Sequence, residues 1–435
     1  MVASLRLYVL LAAGLVLFFL MYFHPIFQLV GLMYDLVLFV ALVVDWQMTP
    51  SRKLLSAVRA VSDRLSIGRK NEVVLEIFNQ GRSSLSMKVR DDSPVGLERD
   101  VQEFAFALAG NSKANLSYTL LPRSRGAYRF HKINLRYLSS LGLFWRTLGV
   151  DADRDVKVYS DLMALKELSL KLSQSSELGD LRTRKRGHGT DFASLREYVS
   201  GDDTRNVDWK ATARRGRPVV RIYEVEQEQT LMVLVDAGRM MMSDLEGISR
   251  FDHALNAALA LVLTGLHRND QVGFGIFADK PLLYLPPRRG KAYMTRILEA
   301  SCDVQPRMVE PDYTGALTFF ASAQKSRSLM AVLTDLTDPT GSQTLLTGLS
   351  SLSPRHLPFC VTLRDRQIDQ VAADRKLLQD GAIYRRAVAT DLLVQRELAF
   401  SQLVRRGCMV LDCPPQELSE KIVDRYLEIK ARGTL

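Results

Sequence analysis

Two long uncharged runs at the front of this chain restrict its fold more than anything else in the sequence. Leu7–Phe23 carries no charge, His24-Pro25 interrupts, and Ile26–Val44 follows, broken only by Gln28 and Asp35. Each run comes close to the roughly 20 apolar residues that a helix needs to cross hydrocarbon. Proline and its predecessor resist helix continuation, so the break predicts a tight hairpin of two transmembrane helices, about 7–23 and 26–44. A cleaved signal peptide is the rival reading. It requires small residues at a cleavage site and no second apolar run directly behind. Arg6 precedes the first run, and Arg52, Lys53, Arg59 and Arg64 follow the second, while the connection has no Lys or Arg. The positive-inside rule then puts both ends, and the soluble chain beyond residue 50, on the cytoplasmic side of the inner membrane. An acid within a span is a functional flag. In so short a hairpin, Asp35 is read first as a helix-pairing residue.

Length allows two or three domains, and 47% hydrophobic residues among 435 supply real cores. The four cysteines (Cys302, Cys360, Cys408, Cys413) form no C-x-x-C and do not cluster with the six histidines, which argues against zinc. Cys408 and Cys413 fall on one expected strand and point to opposite faces, so free thiols in a reducing compartment fit best.

Beyond the anchor (1–50) the periodicity changes twice. Within 51–160, strands are expected at Val73–Phe78, Leu85–Val89, Leu116–Leu121, Ala127–Leu138 and Val156–Tyr159, with an Asn-Gln-Gly turn at 79–81. Short alternating strands at this spacing predict an antiparallel β sandwich, read as a spacer or binding module. From 231 to 435, strands alternate with helices. The strands are Leu231–Val235, Val272–Phe277, Leu329–Leu333, Pro358–Leu363 and Cys408–Leu411. Helices are expected after Ser249-x-x-Asp252 and near 290–301, 313–325, 341–351, 388–405 and 415–431. KPLLYLPPRRGK, 280–291, reads as a hairpin plus loop. This predicts a mostly parallel, doubly wound α/β sheet. Ligands of such sheets sit beyond the strands' carboxyl ends, where LMVLVDAGRMM delivers Asp236 and MAVLTDLTD delivers Asp335.

The segment 161–230 is basic. Between Arg182 and Arg221 there are eleven Lys or Arg against five Asp or Glu, interleaved. Arg196, Arg205 and Arg214 can each fork onto a carboxylate such as Glu197, Asp202, Asp203 or Asp208. Asp208-Trp209-Lys210 leads to an expected edge strand, Val219–Tyr223. Three readings compete: a structural cap, a surface on which a protein partner docks, and a nuclease-like metal-and-lysine set built on Asp191, Asp202 or Asp208 with Lys210. Elsewhere the chain has no phosphate loop, no G-x-S-x-G and no H-E-x-x-H.

The C-terminal region resembles a von Willebrand factor A-like, Rossmann-like domain. That resemblance implies magnesium or manganese at the sheet edge, held by Asp-x-Ser-x-Ser, a loop Thr and a later Asp. Asp236, Thr314 and Asp335 match; Gly238 and Met240 stand where the serines belong. Glycine offers no ligand, and a thioether suits a hard cation badly. The favoured expectation is therefore a metal-free edge that keeps Asp236 for hydrogen bonds to loop amides or as a partner contact; a functional Mg2+ or Mn2+ site at Asp236, Thr314 and Asp335, and a rearranged site through Asp338 or Asp312, are the alternatives. The basic segment resembles the hallmark of the prokaryotic family catalogued as domain of unknown function fifty-eight. The matching residues are Gly189, Phe192, Leu195, Arg196, Tyr198, Gly201, Asp202, Arg205, Asp208, Trp209, Ala213 and Arg214. LPRSRGAYRF, SSLGLFWR, DVKVYSD and the apolar N-terminus are similar too, so the resemblance runs along nearly the whole chain. It implies membrane anchoring and association with MoxR-type AAA+ ATPases.

The expectation is a membrane-tethered, non-enzymatic adaptor. It would contact the lipid bilayer, an AAA+ ATPase and a client protein, without nucleic acid. Its partner-binding residues would be Arg196, Asp202, Arg205, Asp208, Trp209, Arg214 and Arg239. The alternatives are a metal-dependent hydrolase near the membrane and a cell-envelope structural protein.

Overall fold

Alternation of buried and exposed side chains, every second residue along Asn71–Asn79, sets the architecture of the N-terminal half. The computed structural model describes residues 2–20, 22, 26–179, 186–200, 202–224, 229–336, 339–353, 355–374 and 380–432. They fall into two units, Met1–Tyr159 and Ser160–Leu435.

In the first unit a four-stranded sheet orders Leu55–Val61, Asn71–Asn79, Ser112–Pro122 and Leu97–Arg99. A five-stranded sheet orders Val2–Ala3, Phe144–Val150, Ile133–Leu138, Leu85–Asp91 and Phe104–Leu108. Their inner faces meet at Asp91, which takes the Arg59 guanidinium and the Tyr118 hydroxyl (2.6 Å) from the other sheet. Arg59 also lies 4.7 Å from the Phe130 ring centre. Arg59 is thus a core residue, not the juxtamembrane charge that its sequence position suggests. The expected strand Ala127–Leu138 is in fact two. Gly126–Phe130 pairs with Arg154–Tyr159 in a third sheet, and Ile133–Leu138 belongs to the five-stranded one. The apolar rhythm slips by one residue at His131-Lys132, from Tyr128 and Phe130 to Ile133, Leu135 and Tyr137, and the break falls at that slip.

Between Val2–Ala3 and the remaining strands lie the helices Leu5–Leu20 and Ile26–Met48. The second is long and apolar enough to cross a membrane; the first is a shorter apolar helix. His24 and Pro25 lie outside the described residues. The helices touch where Tyr34 donates to the Leu10 carbonyl (2.7 Å), and a Cβ at Gly14 would come within 3.1 Å of the Tyr34 ring. Asp35 faces the same spot, 3.7 Å from that Cβ position.

The second unit is organised by six strands: β1 (Thr230–Asp236), β2 (Gln271–Phe277), β3 (Pro281–Arg288), β4 (Leu329–Thr334), β5 (Leu357–Leu363) and β6 (Met409–Cys413). Their order is β3-β2-β1-β4-β5-β6, all parallel except β3. Pro286-Pro287 confines β3 to the edge, since proline cannot donate to a ladder. Every residue of β1 and β4 is buried, as strands covered on both faces require. On one face Gly265 of the helix Arg250–His267 lets the backbone close on Leu231 and Val272. On the other, Met232, Leu234, Met330 and Val332 pack with Leu317, Phe320, Leu345 and Leu349 from helices Tyr313–Ala323 and Pro339–Leu352. The helix Arg366–Ala373 was not expected, and Asp380–Arg405 begins eight residues before its expected start.

Candidate functional site

Strand β1 carries its carboxylate to the sheet edge, where the turn after it decides the chemistry. Asp236 is 1% exposed. It accepts from the Gly238 amide (2.7 Å), the Tyr313 hydroxyl (2.9 Å) and the Thr334 hydroxyl (2.6 Å). Burial raises its pKa, against the three hydrogen bonds that favour the charged form. The 303–312 loop covers this edge through Arg307 N–H to Ala237 O (2.7 Å) and Asp312 N–H to Ala278 O (2.9 Å). Pro311 of that loop sits over Gly238, where any Cβ would come within 2.8 Å of its ring. Close packing thus leaves no room for a side chain at position 238. Thr314 is exposed, one residue beyond the tyrosine that reaches Asp236. Asp312 caps the helix Tyr313–Ala323 by accepting from Gly315 N–H (2.9 Å). Asp338 lies outside the described residues.

At the end of the neighbouring strand β4, the edge already holds its cations. Asp335 is 5% exposed and pairs with both Arg250 and Arg396, the latter at 3.1 Å, while accepting from Leu336 N–H (2.8 Å). Arg250 also reaches Asp365 (3.2 Å), and Arg396 reaches Asp412 (2.7 Å) and the Leu363 carbonyl (2.7 Å). Burial works against the Arg396 charge, but Asp412 and Asp335 outweigh it and raise its pKa. Arg250 opens a helix whose Ser249 cap accepts from Asp252 N–H (3.1 Å). A cation in a first helical turn opposes the helix dipole, so the carboxylates, not the helix, hold Arg250 in place.

These residues do not fit a divalent ion. The hard-cation ligands that remain, Asp236 and Asp335, are taken up by protein donors, and Asp335 is neutralised by two guanidiniums. No group of three or more His, Cys, Asp or Glu able to hold a metal occurs among the described residues. Nor does a cysteine stand ready as a nucleophile. All four are buried and outside any disulfide, and burial pushes Cys408 up to about 12 and Cys413 up to about 11. Sequence reasoning missed Tyr313, Thr334, Arg250 and Arg396. Tyr313 and Thr334 directly adjoin the matched Thr314 and Asp335, which was the available signal.

The second candidate surface is the basic segment, whose strand Arg186–Glu197 pairs with Val219–Glu224. Its acids serve the backbone. Asp202 takes Arg196 (2.7 Å) and Val199 N–H (2.9 Å), closing the turn, and both contacts lower its pKa. Asp203 caps Thr204–Asn206. Asp208 caps the helix Trp209–Arg215 through Ala211 N–H (2.9 Å) and pairs with Arg221 (2.9 Å), which together lower its pKa. Glu197 pairs with Arg217 (3.2 Å). Of the three arginines expected to fork onto these acids, only Arg196 does so. Arg205, Lys210, Arg214 and Arg215 are exposed and have no ion-pair partner among the described residues. Trp209, 72% exposed, stands among them in the chain. Arg239 pairs with Glu310 beside the β1 turn. The Asp-x-Lys element does not form a metal-and-lysine set, because Asp208 is spent on a cap and an arginine.

Residues 194–410 match the family model described as protein of unknown function DUF58. The first 193 residues, including the N-terminal helices and the sheets of the first unit, lie outside that match. An uncharacterized protein of Mycobacterium tuberculosis (strain ATCC 25618 / H37Rv) is 24% identical over 198 residues, 45% of this chain and 62% of its own length. The uncharacterized protein YeaD of Bacillus subtilis (strain 168) is 27% identical over 121 residues, 28% of this chain and 30% of its own. The chain therefore spans about three-fifths of the first relative and under a third of the second. Among solved structures, the conserved hypothetical protein BatB from Bacteroides thetaiotaomicron covers 47% of this chain and 99% of its own at 11% identity and a TM-score of 0.28. The CARDB domain of a Pyrococcus furiosus protein covers 26% of this chain and 97% of its own at 18% identity and a TM-score of 0.20. Scores this low add nothing to the topology described above.

Proposed function

We propose that this protein is a membrane-tethered, non-enzymatic adaptor that binds a protein partner through its C-terminal unit. The observation that carries the reading is the set of exposed cations near Trp209 in the chain, Arg205, Lys210, Arg214 and Arg215, which have no ion-pair partner among the described residues. Glu197, Asp202, Asp203 and Asp208 are each engaged locally, which leaves the exposed cations next to Trp209 in the chain uncompensated by these acids. Exposed aromatic and arginine side chains are the usual energetic centres of protein interfaces.

The two apolar helices form a transmembrane hairpin in this proposal. The lysine and arginine distribution and the free thiols favour soluble units that face the cytoplasm. The order β3-β2-β1-β4-β5-β6, with its acid-bearing edge, supports a von Willebrand factor A-like fold for the sheet unit. A MoxR-type AAA+ ATPase is the partner that the family resemblance suggests, acting in assembly, maturation or stress response on a client of unknown identity. The metal-dependent hydrolase is the weaker alternative, since guanidiniums occupy the edge that it needs.

Affinity purification from membranes in gentle detergent tests the proposal. The wild type should recover an AAA+ ATPase. Arg205→Glu with Arg214→Glu should lose it while the protein stays in the membrane fraction. Recovery of no ATPase by the wild type, or undiminished recovery by the double variant, refutes the reading.

A further inference from the structure

The N-terminal helices are joined to the first unit at both of their ends. Val2–Ala3 is an edge strand paired with Phe144–Trp145, ahead of the first helix. Ser4 continues the attachment: its N–H donates to Leu143 O (2.9 Å) and its hydroxyl to Gly142 O (2.6 Å). That hydroxyl also accepts from Leu7 N–H (3.3 Å), which starts the helix. The far end of Ile26–Met48 returns to the same loop. Asp45 is fully buried in its last turns and accepts from Ser139 Oγ (2.5 Å), Leu141 N–H (2.6 Å) and Leu143 N–H (3.2 Å). Ser140 Oγ donates to Met48 O (3.0 Å), Arg146 to Trp46 O (3.0 Å) and Tyr137 to Pro50 O (3.1 Å).

A loose tether would need none of these bonds. Eight polar contacts from five consecutive loop residues and two flanking side chains instead seat both helix ends on Ser139–Leu143. Around that seat the outward side chains have interfacial character. Leu141 is 45% and Trp46 55% exposed, and Arg6 reaches the loop, where a Cβ at Gly142 would come within 2.9 Å of its guanidinium. Tryptophan and arginine at the end of an apolar helix are the side chains that settle at the headgroup level.

We infer that the Ser139–Leu143 loop is a lipid-facing seat that lays Leu141, Trp46 and Arg6 against anionic headgroups and holds the β sheets at one fixed orientation on the membrane. The inference rests on the membrane reading proposed above. It assigns Asp45, a residue just past the uncharged run, as the positioning residue of the mount, and Asp35 as a helix-contact residue.

Quenching of a fluorophore by headgroup spin labels tests it. The full chain is reconstituted in vesicles of phosphatidylcholine and phosphatidylglycerol, and a polarity-sensitive label is placed at Leu141→Cys or at Val95→Cys. Val95 is 99% exposed and follows Asp91, whose pairing with Ile133 puts it at the opposite end of the strand that leads into Ser139. The buried native cysteines give little background, and the unsubstituted chain measures it. Spin-labelled lipid should quench the Leu141 label at least threefold more than the Val95 label. Asp45→Ala should stay with the vesicles but lose most of that difference. Equal quenching at the two positions overturns the inference, as does an undiminished difference in Asp45→Ala. Should Asp45→Ala not fold, the comparison between the two labels in the otherwise wild-type chain decides alone. A chain that fails to float with vesicles refutes the membrane reading itself, a separate and recognisable outcome.

Discussion

Removing the Asp335 carboxylate tests whether arginines hold the sheet edge. In Asp335→Ala, Arg250 and Arg396 lose the acid that they share, yet both stay at under 10% exposure. Breaking a buried pair from one side costs about 3–5 kcal/mol, because an uncompensated charge is left inside. Arg250 keeps Asp365 at 3.2 Å and Arg396 keeps Asp412 at 2.7 Å, which argues for the lower end, about 3 kcal/mol. At roughly 2–4 °C per kcal/mol for a domain of this size, the second unit should melt about 6–12 °C lower. Calorimetry of the detergent-solubilised chain reads this, and the first unit's transition serves as the internal control. A shift under about 1 °C refutes the reasoning. So does a wild type whose melting temperature falls comparably in EDTA and returns with manganese, since a metal would then balance the carboxylates.

Other outcomes follow from the same geometry. Asp236→Asn should be tolerated, because the hydroxyls of Tyr313 and Thr334 can accept where they donated; Asp236→Ala should cost about 2 kcal/mol in denaturant unfolding by stranding them. Burial raises the folded pKa of Asp236, so its charge is a penalty that grows as pH rises through that pKa, and Asp236→Asn should flatten this part of the stability–pH curve. Asp202 and Asp208 have the opposite sign. Their folded pKa values are lowered, so their stabilisation is complete above the ordinary carboxylate value of 3.8 and is lost as pH falls through the folded value. Asp208→Ala should loosen Trp209–Arg215 by removing its cap, visible as faster amide exchange there. Gly238→Ser should not create a magnesium site in a calorimetric titration; it should destabilise, because its Cβ meets Pro311.

Long-period features were readable from the sequence, and single-residue chemistry was not. The apolar runs, the β1 strand and its terminal Asp236, and the Ser249 cap follow from local pattern and stand where expected. The partners of Asp236 did not follow. Tyr313 and Thr334 come from helix and strand positions 77 and 98 residues away, and only packing brings their hydroxyls together. Arg250 and Arg396 look like surface charges within helical periodicity, and their role depends on β4 and β6 lying beside them. Arg59 misled for the same reason: its position near the anchor suggested topology, while strand pairing turns it inward to Asp91. Asp45 marked the end of an apolar run, and the loop that buries it is some hundred residues on. Among the family-motif residues, sequence could not divide structural from exposed. Asp202 and Asp208 hold turns and caps, whereas Arg205, Trp209 and Arg214 point outward.

The central claim is that the Trp209 surface contacts a protein at the membrane. Photo-crosslinking from a light-activated amino acid at position 209, in intact membranes and followed by mass spectrometry, tests it most directly. A specific protein adduct containing an AAA+ ATPase is expected, abolished by Arg205→Glu with Arg214→Glu. Crosslinks to lipid alone, or the same protein adducts in the charge-reversed chain, would contradict it.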